Sequence, residues 1–371
     1  MTSSFISARE RILHKPSLIK KRLCAVFALG FSVAVGTMLL STNARADDNI
    51  VNVYAWSGEV PDAVIQQFQK ETGIKVNFST YDSNETLYAK LKAVDNPGYD
   101  VIEPSSYYVD RMRKEGMLQP LDLSKIPSFK YLDPAFLNQP YDPQNQYSVP
   151  NLWGITGIFV NKKYFDPDSV QRWTDLWQPR FKNQLLMLDD VREVFPMTLL
   201  SLGYSPDDNN PAHIKEAYKR LLALRTNIKL FSSDSAASII TDEDATVGMT
   251  WNGDLFRAKV SNPNLVFIYP KDGFVIWVDC FAVVKNAPHQ DNALKFINFM
   301  MRPDIALQSS MAYYYATPNL EAQKEMPADI RNNPMIFPPH DILKQGHFQA
   351  DISDQSMALY AEYWEKLKLK M

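Results

Sequence analysis

Aromatic, carboxylate and hydroxyl side chains occur together in six short segments of this sequence. The segments lie at residues 56–59, 105–108, 189–193, 251–254, 277–279 and 313–315. Carboxylates pair with ammonium groups, and aromatic faces cover methylene chains and attract cations. One isolated Trp is usually part of a core, and one Asp after a strand usually caps a helix. The recurrence of the combination near predicted strand ends favours a common binding site.

A regular alternation of strands and helices positions the first of these segments. The pattern predicts strands at 50–55, 74–80 and 99–103, and helices from Pro61 to Gly73, at 85–91 and at 108–115, the last closed by Gly116. Strands separated by helices predict a parallel sheet with right-handed crossovers, and ligands of such sheets lie beyond the carboxyl ends of the strands. The chain leaves these strands at Trp56, Tyr81 and Ser105, which are therefore candidate site positions.

A second α/β pattern follows an irregular connection over residues 117–150 that is rich in Pro, Asp and Asn. From Ile155 onward the pattern predicts strands at 184–188, 246–250 and 281–284, and helices after Asp190, at 214–224 and at 291–300. The sequence has no clean linker between the two patterns. We therefore expect two lobes between which the chain crosses more than once.

The first 46 residues have the composition of an export signal. Six Lys and Arg residues precede an apolar run over 23–40, and Ala44-Arg45-Ala46 places small residues at the two positions that a signal peptidase reads. The alternative is a retained membrane anchor, since 18 apolar residues approach the ~20 that span a bilayer. The Ala-x-Ala ending favours a signal peptide over 1–46 that is cleaved in the periplasm.

The net charge and the absence of several catalytic motifs restrict the functions that this sequence can have. Residues 1–46 hold seven of the 39 basic residues and one of the 42 acidic residues, so the remainder carries a net charge of −9. An acidic body disfavours nucleic acid as a partner and mildly favours cationic ligands. The sequence lacks a Gly-rich phosphate loop, a GxSxG elbow and an HExxH motif. Its histidines are scattered, and beyond residue 46 it keeps one cysteine, Cys280, so we expect no enzyme, no cofactor and no metal.

Several stretches together resemble a known family. They lie at residues 68–76, 83–91, 104–116, 189–195, 248–253 and 317–320. In this order they resemble the spermidine/putrescine-binding proteins of bacterial polyamine ABC transporters, and the similarity extends over about residues 52–367. The resemblance implies a monomeric periplasmic receptor that captures a polyamine and delivers it to an inner-membrane ABC permease.

The resemblance also implies an α/β fold of the two-lobed periplasmic-binding-protein class, type II. Each lobe would be a sheet flanked by helices, with the ligand cleft between the lobes. The N-terminal lobe would contain residues 47–155 and 279–322, and the C-terminal lobe residues 156–278 and 323–371.

Roles at individual positions follow from the same resemblance. The implied ligand-binding residues are Trp56, Ser57, Ser105, Tyr107, Asp190, Glu193, Trp251, Trp277, Asp279, Tyr315 and Gln349, with Ser233 as a weaker match. The sequence departs from the family at Gly58-Glu59, where relatives usually have an acid and then a Tyr. Glu59 either replaces the usual carboxylate or caps the helix after Pro61. Asp254 either adds a carboxylate to the site or caps a helix.

Three other functions are compatible with parts of this pattern. The same fold can serve as a polyamine sensor that docks on a membrane signalling protein, and only the outer surface would differ. The adjacent tyrosines at 107–108 and 313–315 suggest ferric-ion capture, but three Trp residues at the predicted site argue against it. An enzyme using Asp190 and Glu193 as acid and base would lack a nucleophile, a metal and a cofactor motif.

Overall fold

The structure of the protein, a computed structural model, describes residues 49–94 and 98–369. The predicted signal peptide lies outside these residues. Within the described ranges, no helix combines the length and hydropathy that a bilayer crossing requires.

Strands and helices alternate along most of the described chain. The strands are β1 (Ile50–Trp56), β2 (Lys75–Tyr81), β3 (Val101–Ile102), β4 (Leu118–Gln119), β5 (Ser148–Asn161), β6 (Leu185–Met187), β7 (Ile228–Phe231), β8 (Val247–Trp251), β9 (Leu265–Ile268), β10 (Phe274–Val284) and β11 (Gly346–Phe348). The helices are α1 (Asp62–Thr72), α2 (Asn84–Lys92), α3 (Ser106–Lys114), α4 (Val191–Ser201), α5 (Pro211–Leu224), α6 (Ala236–Thr241), α7 (Asn252–Ser261), α8 (Gln290–Met300), α9 (Pro303–Tyr313), α10 (Leu320–Glu325), α11 (Ala328–Arg331), α12 (His340–Leu343) and α13 (Asp354–Lys368). Short 3-10 helices occur at Leu123–Lys125, Pro127–Tyr131, Pro134–Phe136, Pro167–Ser169, Trp173–Trp177 and Pro179–Phe181.

The first part of the sheet is confirmed as predicted. Strand β1 pairs in parallel with β2 on one side and with β3 on the other. Helix α1 begins after Pro61 and ends at Gly73, whose φ of 70° is the left-handed conformation that glycine adopts without steric cost. The carboxyl ends of β1 and β3 therefore lie at the same edge of the sheet.

The sheet as a whole is mixed, because antiparallel pairs at its centre join the parallel pairs of β1 with β2 and β3 to those of β6 with β7 and β8. The strand order is β2-β1-β3-β10-β5-β8-β6-β7, and β10 runs antiparallel to both β3 and β5. Residues 277–279, predicted at a loop start, lie in the middle of β10, and the predicted strand at 281–284 is only its last part. All eleven residues of β10 are buried, and a strand buried on both faces lacks the alternation that marks a strand in sequence.

Strand β5 connects the two halves of the molecule. Its fourteen residues are all buried, and its first residues belong to the segment that the sequence predicts as irregular. Val149 packs in a core with β1, α1 and α8, whereas Ile158 packs in a second core with β6, α4 and α5. The result is a two-lobed α/β fold in which β5 and β10 run through the middle. The lobe boundaries given above remain a prediction.

Candidate ligand-binding pocket

One pocket gathers twelve of the fourteen predicted site residues. Its lining is Trp56, Ser57, Glu59, Asn84, Ser105, Tyr107, Asp190, Glu193, Trp251, Trp277, Asp279, Tyr315 and Gln349. The pocket encloses about 490 Å³ that no protein atom occupies, part of it open to solvent.

The pocket lies where strands end and helices begin. Trp56 is the last residue of β1, and Ser105, Asp190 and Trp251 directly precede helices α3, α4 and α7. In an α/β sheet these positions face the crevice beyond the carboxyl ends of the strands. Trp277 instead projects from within β10, the central strand that both halves share.

Two glycines make room for the aromatic walls. The rings of Trp277 and Tyr315 meet edge to face, with centroids 4.9 Å apart and an interplanar angle of 84°. A Cβ at Gly154 would lie 2.2 Å from Trp277 Cζ2, and a Cβ at Gly253 would lie 2.4 Å from Tyr315 Cδ1. Any larger residue at either position would therefore displace a wall of the pocket.

Three carboxyls lie close together at one part of the site. Glu59 and Asp279 line the pocket and Glu103 lies behind them, and we call these three residues the Glu59 cluster. Ser105 Oγ donates a hydrogen bond to Asp279 Oδ1 at 2.5 Å, and Asn151 Nδ2 donates to Glu103 Oε1 at 2.6 Å. Burial, and then the charge of Asp279, raises the pKa of Glu103 to about 8. Burial raises the pKa of Asp279 to about 6. Burial, and then the charge of Asp279, holds the pKa of Glu59 well above its usual range.

A second group, the Glu193 cluster, contains Glu85, Asp190 and Glu193. Asp190 caps α4 by accepting a hydrogen bond from the backbone N–H of Arg192 at 2.7 Å. Trp251 Nε1 donates to Glu193 Oε1 at 3.4 Å. Burial, and then repulsion by Glu85, raises the pKa of Asp190 to about 7. Burial, and then repulsion by Asp190, raises the pKa of Glu193 to about 8.

Several polar atoms of the pocket residues are buried without a hydrogen-bond partner. They are Trp56 Nε1, Glu59 Oε2, Glu193 Oε2 and Trp277 Nε1. Buried polar groups in folded proteins are nearly always hydrogen-bonded, so these atoms are suited to bind the polar groups of a ligand. When ionised, the two carboxylate oxygens accept hydrogen bonds, and a cationic donor would also offset their charge. The pocket is therefore suited to a ligand with cationic N–H groups.

Asn84 and Glu103 take part in this site although neither was predicted. Asn84 Nδ2 donates to Ser105 Oγ and to Tyr107 Oη, both at 2.9 Å, and its Oδ1 accepts from the Ser105 N–H at 3.1 Å. It thereby fixes two other pocket side chains. Asn84 opens α2 directly after its capping Ser83, and nothing in that local pattern marks it as a site residue.

The structure does not bring Asp254 and Ser233 to the pocket. Asp254 forms an ion pair with Arg257 and accepts a hydrogen bond from Tyr315 Oη at 3.1 Å, so it lies behind a wall of the pocket. The hydroxyl of Ser233 is buried and unpaired, and Ser233 is not among the lining residues. Asp254 is in the first turn of α7, and no side chain caps that helix.

Glu59 lies in the pocket lining and is 6% exposed. Helix α1 has Pro61 at its N-cap position and no side-chain hydrogen bond to its first turn. Of the two roles considered for Glu59, the observed geometry matches the carboxylate that faces the pocket.

Comparisons with known proteins agree with this geometry. The family model described as bacterial extracellular solute-binding protein matches residues 63–338. The spermidine/putrescine-binding periplasmic protein of Escherichia coli (strain K12) is 45% identical over 338 residues, which cover 91% of this chain and 97% of that protein. Its namesake from Salmonella typhimurium (strain LT2) is 44% identical over the same shares.

A solved structure extends the similarity to the fold. It is the spermidine/putrescine ABC transporter substrate-binding protein of Streptococcus pneumoniae, which matches with a TM-score of 0.74 and 32% identity. The match covers 86% of this chain and 99% of that one. This chain therefore has the periplasmic-binding-protein fold and belongs to the bacterial extracellular solute-binding proteins, among the spermidine/putrescine-binding periplasmic proteins.

Proposed function

We propose that this protein captures a linear polyamine, spermidine or putrescine, in the periplasm and delivers it to an inner-membrane ABC permease. The observation that carries the proposal is the pocket itself, in which two carboxyl clusters occur together with aromatic walls. The names of its relatives support the same ligand class, and the name of the Streptococcus pneumoniae protein, an ABC transporter substrate-binding protein, supports the transport role. The protein would act by binding alone, as a monomer, with no reaction at the site.

The chemistry of a polyamine matches both parts of the pocket. Each ammonium group loses hydration on entering, so it needs an opposite charge and hydrogen-bond acceptors. Asp279 and Glu193 supply these in the two clusters. The methylene chain needs flat apolar surfaces, which Trp277 and Tyr315 provide, and each cation–π contact with such rings is worth ~0.5–2 kcal/mol.

The alternative role as a sensor would use the same pocket. None of the relatives described above is named as a sensor. We therefore propose transport, with the permease as partner.

Calorimetric titration tests the ligand class. The ligand-free protein is titrated with putrescine, spermidine, norspermidine and spermine, and 1,4-butanediol serves as the uncharged counterpart of putrescine. We expect at least one polyamine to bind with a Kd below about 10 μM, and the diol not to bind. If no polyamine binds more tightly than about 100 μM, near −5.5 kcal/mol, the proposal is wrong.

A further inference from the structure

Glu103 is a buried carboxyl that lies behind the pocket and does not line it. It follows β3, is 0% exposed, and has Asn151 as its hydrogen-bond donor on one oxygen. Its other oxygen, Oε2, has no donor. A side chain of this kind is costly to bury unless something compensates for its charge, and Asn151 is neutral.

The Glu103 carboxyl faces other acidic groups. It lies close enough to Glu59 and Asp279 for the charges of these carboxyls to repel one another. Burial and this repulsion both favour the protonated forms in the ligand-free protein. The titratable side chains of Tyr81, Tyr313 and Cys280 also feel the charge of Glu103.

A second observation connects this cluster to a ligand. Glu59 Oε2 has no donor from the protein, and Glu59 is both nine-tenths buried and part of the pocket lining. Among the described residues, no group of three or more His, Cys, Asp or Glu side chains is arranged to hold a metal ion. When ionised, Glu59 Oε2 can accept a hydrogen bond from an N–H group of a ligand.

We propose that Glu103 is a specificity-determining residue that acts through Glu59 and Asp279. In the empty pocket the three carboxyls share protons. When a ligand enters, its ammonium groups take the place of these protons, which leave to solvent. Glu103 adds a third carboxyl to a region where one ammonium group can offset only one charge.

The ligand class follows from this charge count, and it rests on the proposed function. A diamine with four methylene groups presents one ammonium group to the Glu59 cluster if its other end lies at the Glu193 cluster. A triamine with an aminopropyl arm presents two ammonium groups, a terminal one and a secondary one three carbons away. Glu103 should therefore favour triamines over diamines, and more so as the pH rises and the cluster ionises.

The test measures selectivity and proton release in the wild-type protein and in Glu103→Gln. Titrations with spermidine and putrescine are run in phosphate and in Tris at pH 7, because the difference in apparent enthalpy between the buffers gives the number of protons released. We expect Glu103→Gln to lower the spermidine-to-putrescine affinity ratio by about fivefold or more and to reduce the protons released with spermidine by about one. An unchanged ratio and an unchanged proton count would overturn the inference.

Glu243→Gln is the matched control. It removes a carboxylate outside the pocket lining whose pKa is lowered to about 2 by its hydrogen bonds to Lys163 and Tyr164, so it holds no proton at pH 7. The spermidine-to-putrescine affinity ratio and the number of protons released should both stay at the wild-type value.

The wild-type protein alone provides a second test that does not depend on the folding of a variant. Its preference for spermidine over putrescine should increase between pH 5.5 and pH 8, and a constant preference contradicts the inference. A protein that binds spermidine and putrescine without this change keeps the proposed function and loses only the role of Glu103. A protein that binds neither loses both.

Discussion

The two carboxyl clusters of the pocket differ in the groups that surround their negative charge. At the Glu193 cluster burial raises the pKa of both Asp190 and Glu193, and the Arg192 guanidinium and the backbone hydrogen bonds that Asp190 accepts at the start of α4 offset only part of that rise. At the Glu59 cluster, burial, Asp279 and Glu103 all raise the pKa of Glu59. A helix N-terminus stabilises negative charge, whereas facing carboxyls must share protons.

Burial nevertheless raises the pKa values in both clusters, to about 7 and 8 for Asp190 and Glu193 and to about 6 and 8 for Asp279 and Glu103. Carboxyls of both clusters must therefore lose protons to become fully charged, and the contribution of each cluster to affinity depends on pH. Four predictions compare the two clusters and the residues around them.

Asp279→Asn should have the largest effect. Asp279 has a pKa of about 6, below the value of about 8 for Glu103, and accepts a hydrogen bond from Ser105, so it is available as a carboxylate to an ammonium group at neutral pH. Truncating one partner of a buried charge pair typically costs ~2–5 kcal/mol. We expect at least about a tenfold loss of polyamine affinity by calorimetry, and an unchanged affinity would remove Asp279 from the binding contacts.

Glu59→Gln compares the clusters directly, with Glu193→Gln as its counterpart. Burial and the neighbouring carboxyls of Asp279 and Glu103 hold the pKa of Glu59 well above its usual range, so the amide should cost less at pH 6 than at pH 8, where we expect a loss of about fivefold or more. The pKa of Glu193 is about 8, so the loss for Glu193→Gln should also increase between the two pH values. A loss that is the same at both pH values in either variant would contradict the raised pKa of that carboxyl. No effect of Glu59→Gln at either pH would exclude Glu59 from the site.

The ligand-free protein should become less stable as the pH rises from 5 to 8. The folded-state pKa values of Glu103, Glu193 and Asp190, about 8, 8 and 7, lie above the unfolded values near 4. The folded protein therefore binds more protons than the unfolded chain in this window, and the free energy of unfolding falls with pH. Scanning calorimetry should show a Tm several degrees lower at pH 8.

Saturating spermidine is the control for this prediction. It should reduce the difference in Tm between pH 5 and pH 8, because ligand charge then replaces the protons. Carboxyls with a low pKa, such as Glu243 at about 2, titrate outside this window and do not contribute. A ligand-free Tm that rises between pH 5 and pH 8 would show that these carboxyls are not protonated in the folded protein.

Asp254→Asn should have the smallest effect. Asp254 is already paired with Arg257 and reaches the pocket only through its hydrogen bond from Tyr315. We expect a loss of affinity of about threefold or less, since an amide oxygen can still accept from the hydroxyl. A loss as large as that for Asp279→Asn would mean that Asp254 contacts the ligand itself.

Local patterns in the sequence predicted the elements that position the site. The helix start after Pro61, the helix end at Gly73 and the strand exit at Trp56 agree with the structure because each depends on neighbouring residues. The long central strands were missed or shortened, since β5 and β10 are buried throughout and show no alternation. Their antiparallel pairing depends on contacts far apart in the chain.

The residues of the pocket also divide into those that the sequence predicts and those that it does not. Trp and acidic residues at strand ends are recognisable from their residue types, whereas Glu103 and Asn84 belong to the site only because of how the chain packs. Glu103 follows a short strand and looks like an ordinary polar residue after it, and only the fold brings it against Glu59 and Asp279. Gly154 and Gly253 are required because rings from distant segments occupy the space of their missing side chains.

A crystal structure of the protein with spermidine would show which carboxylates bind the ammonium groups. We expect the ligand to lie in the pocket, with one ammonium nitrogen ~2.7–2.9 Å from a carboxylate oxygen of Asp279 and another at the same distance from Glu193. Its methylene groups should lie along Trp277 and Tyr315. A ligand bound elsewhere, or one in the pocket whose nitrogens avoid both carboxylates, would contradict the account.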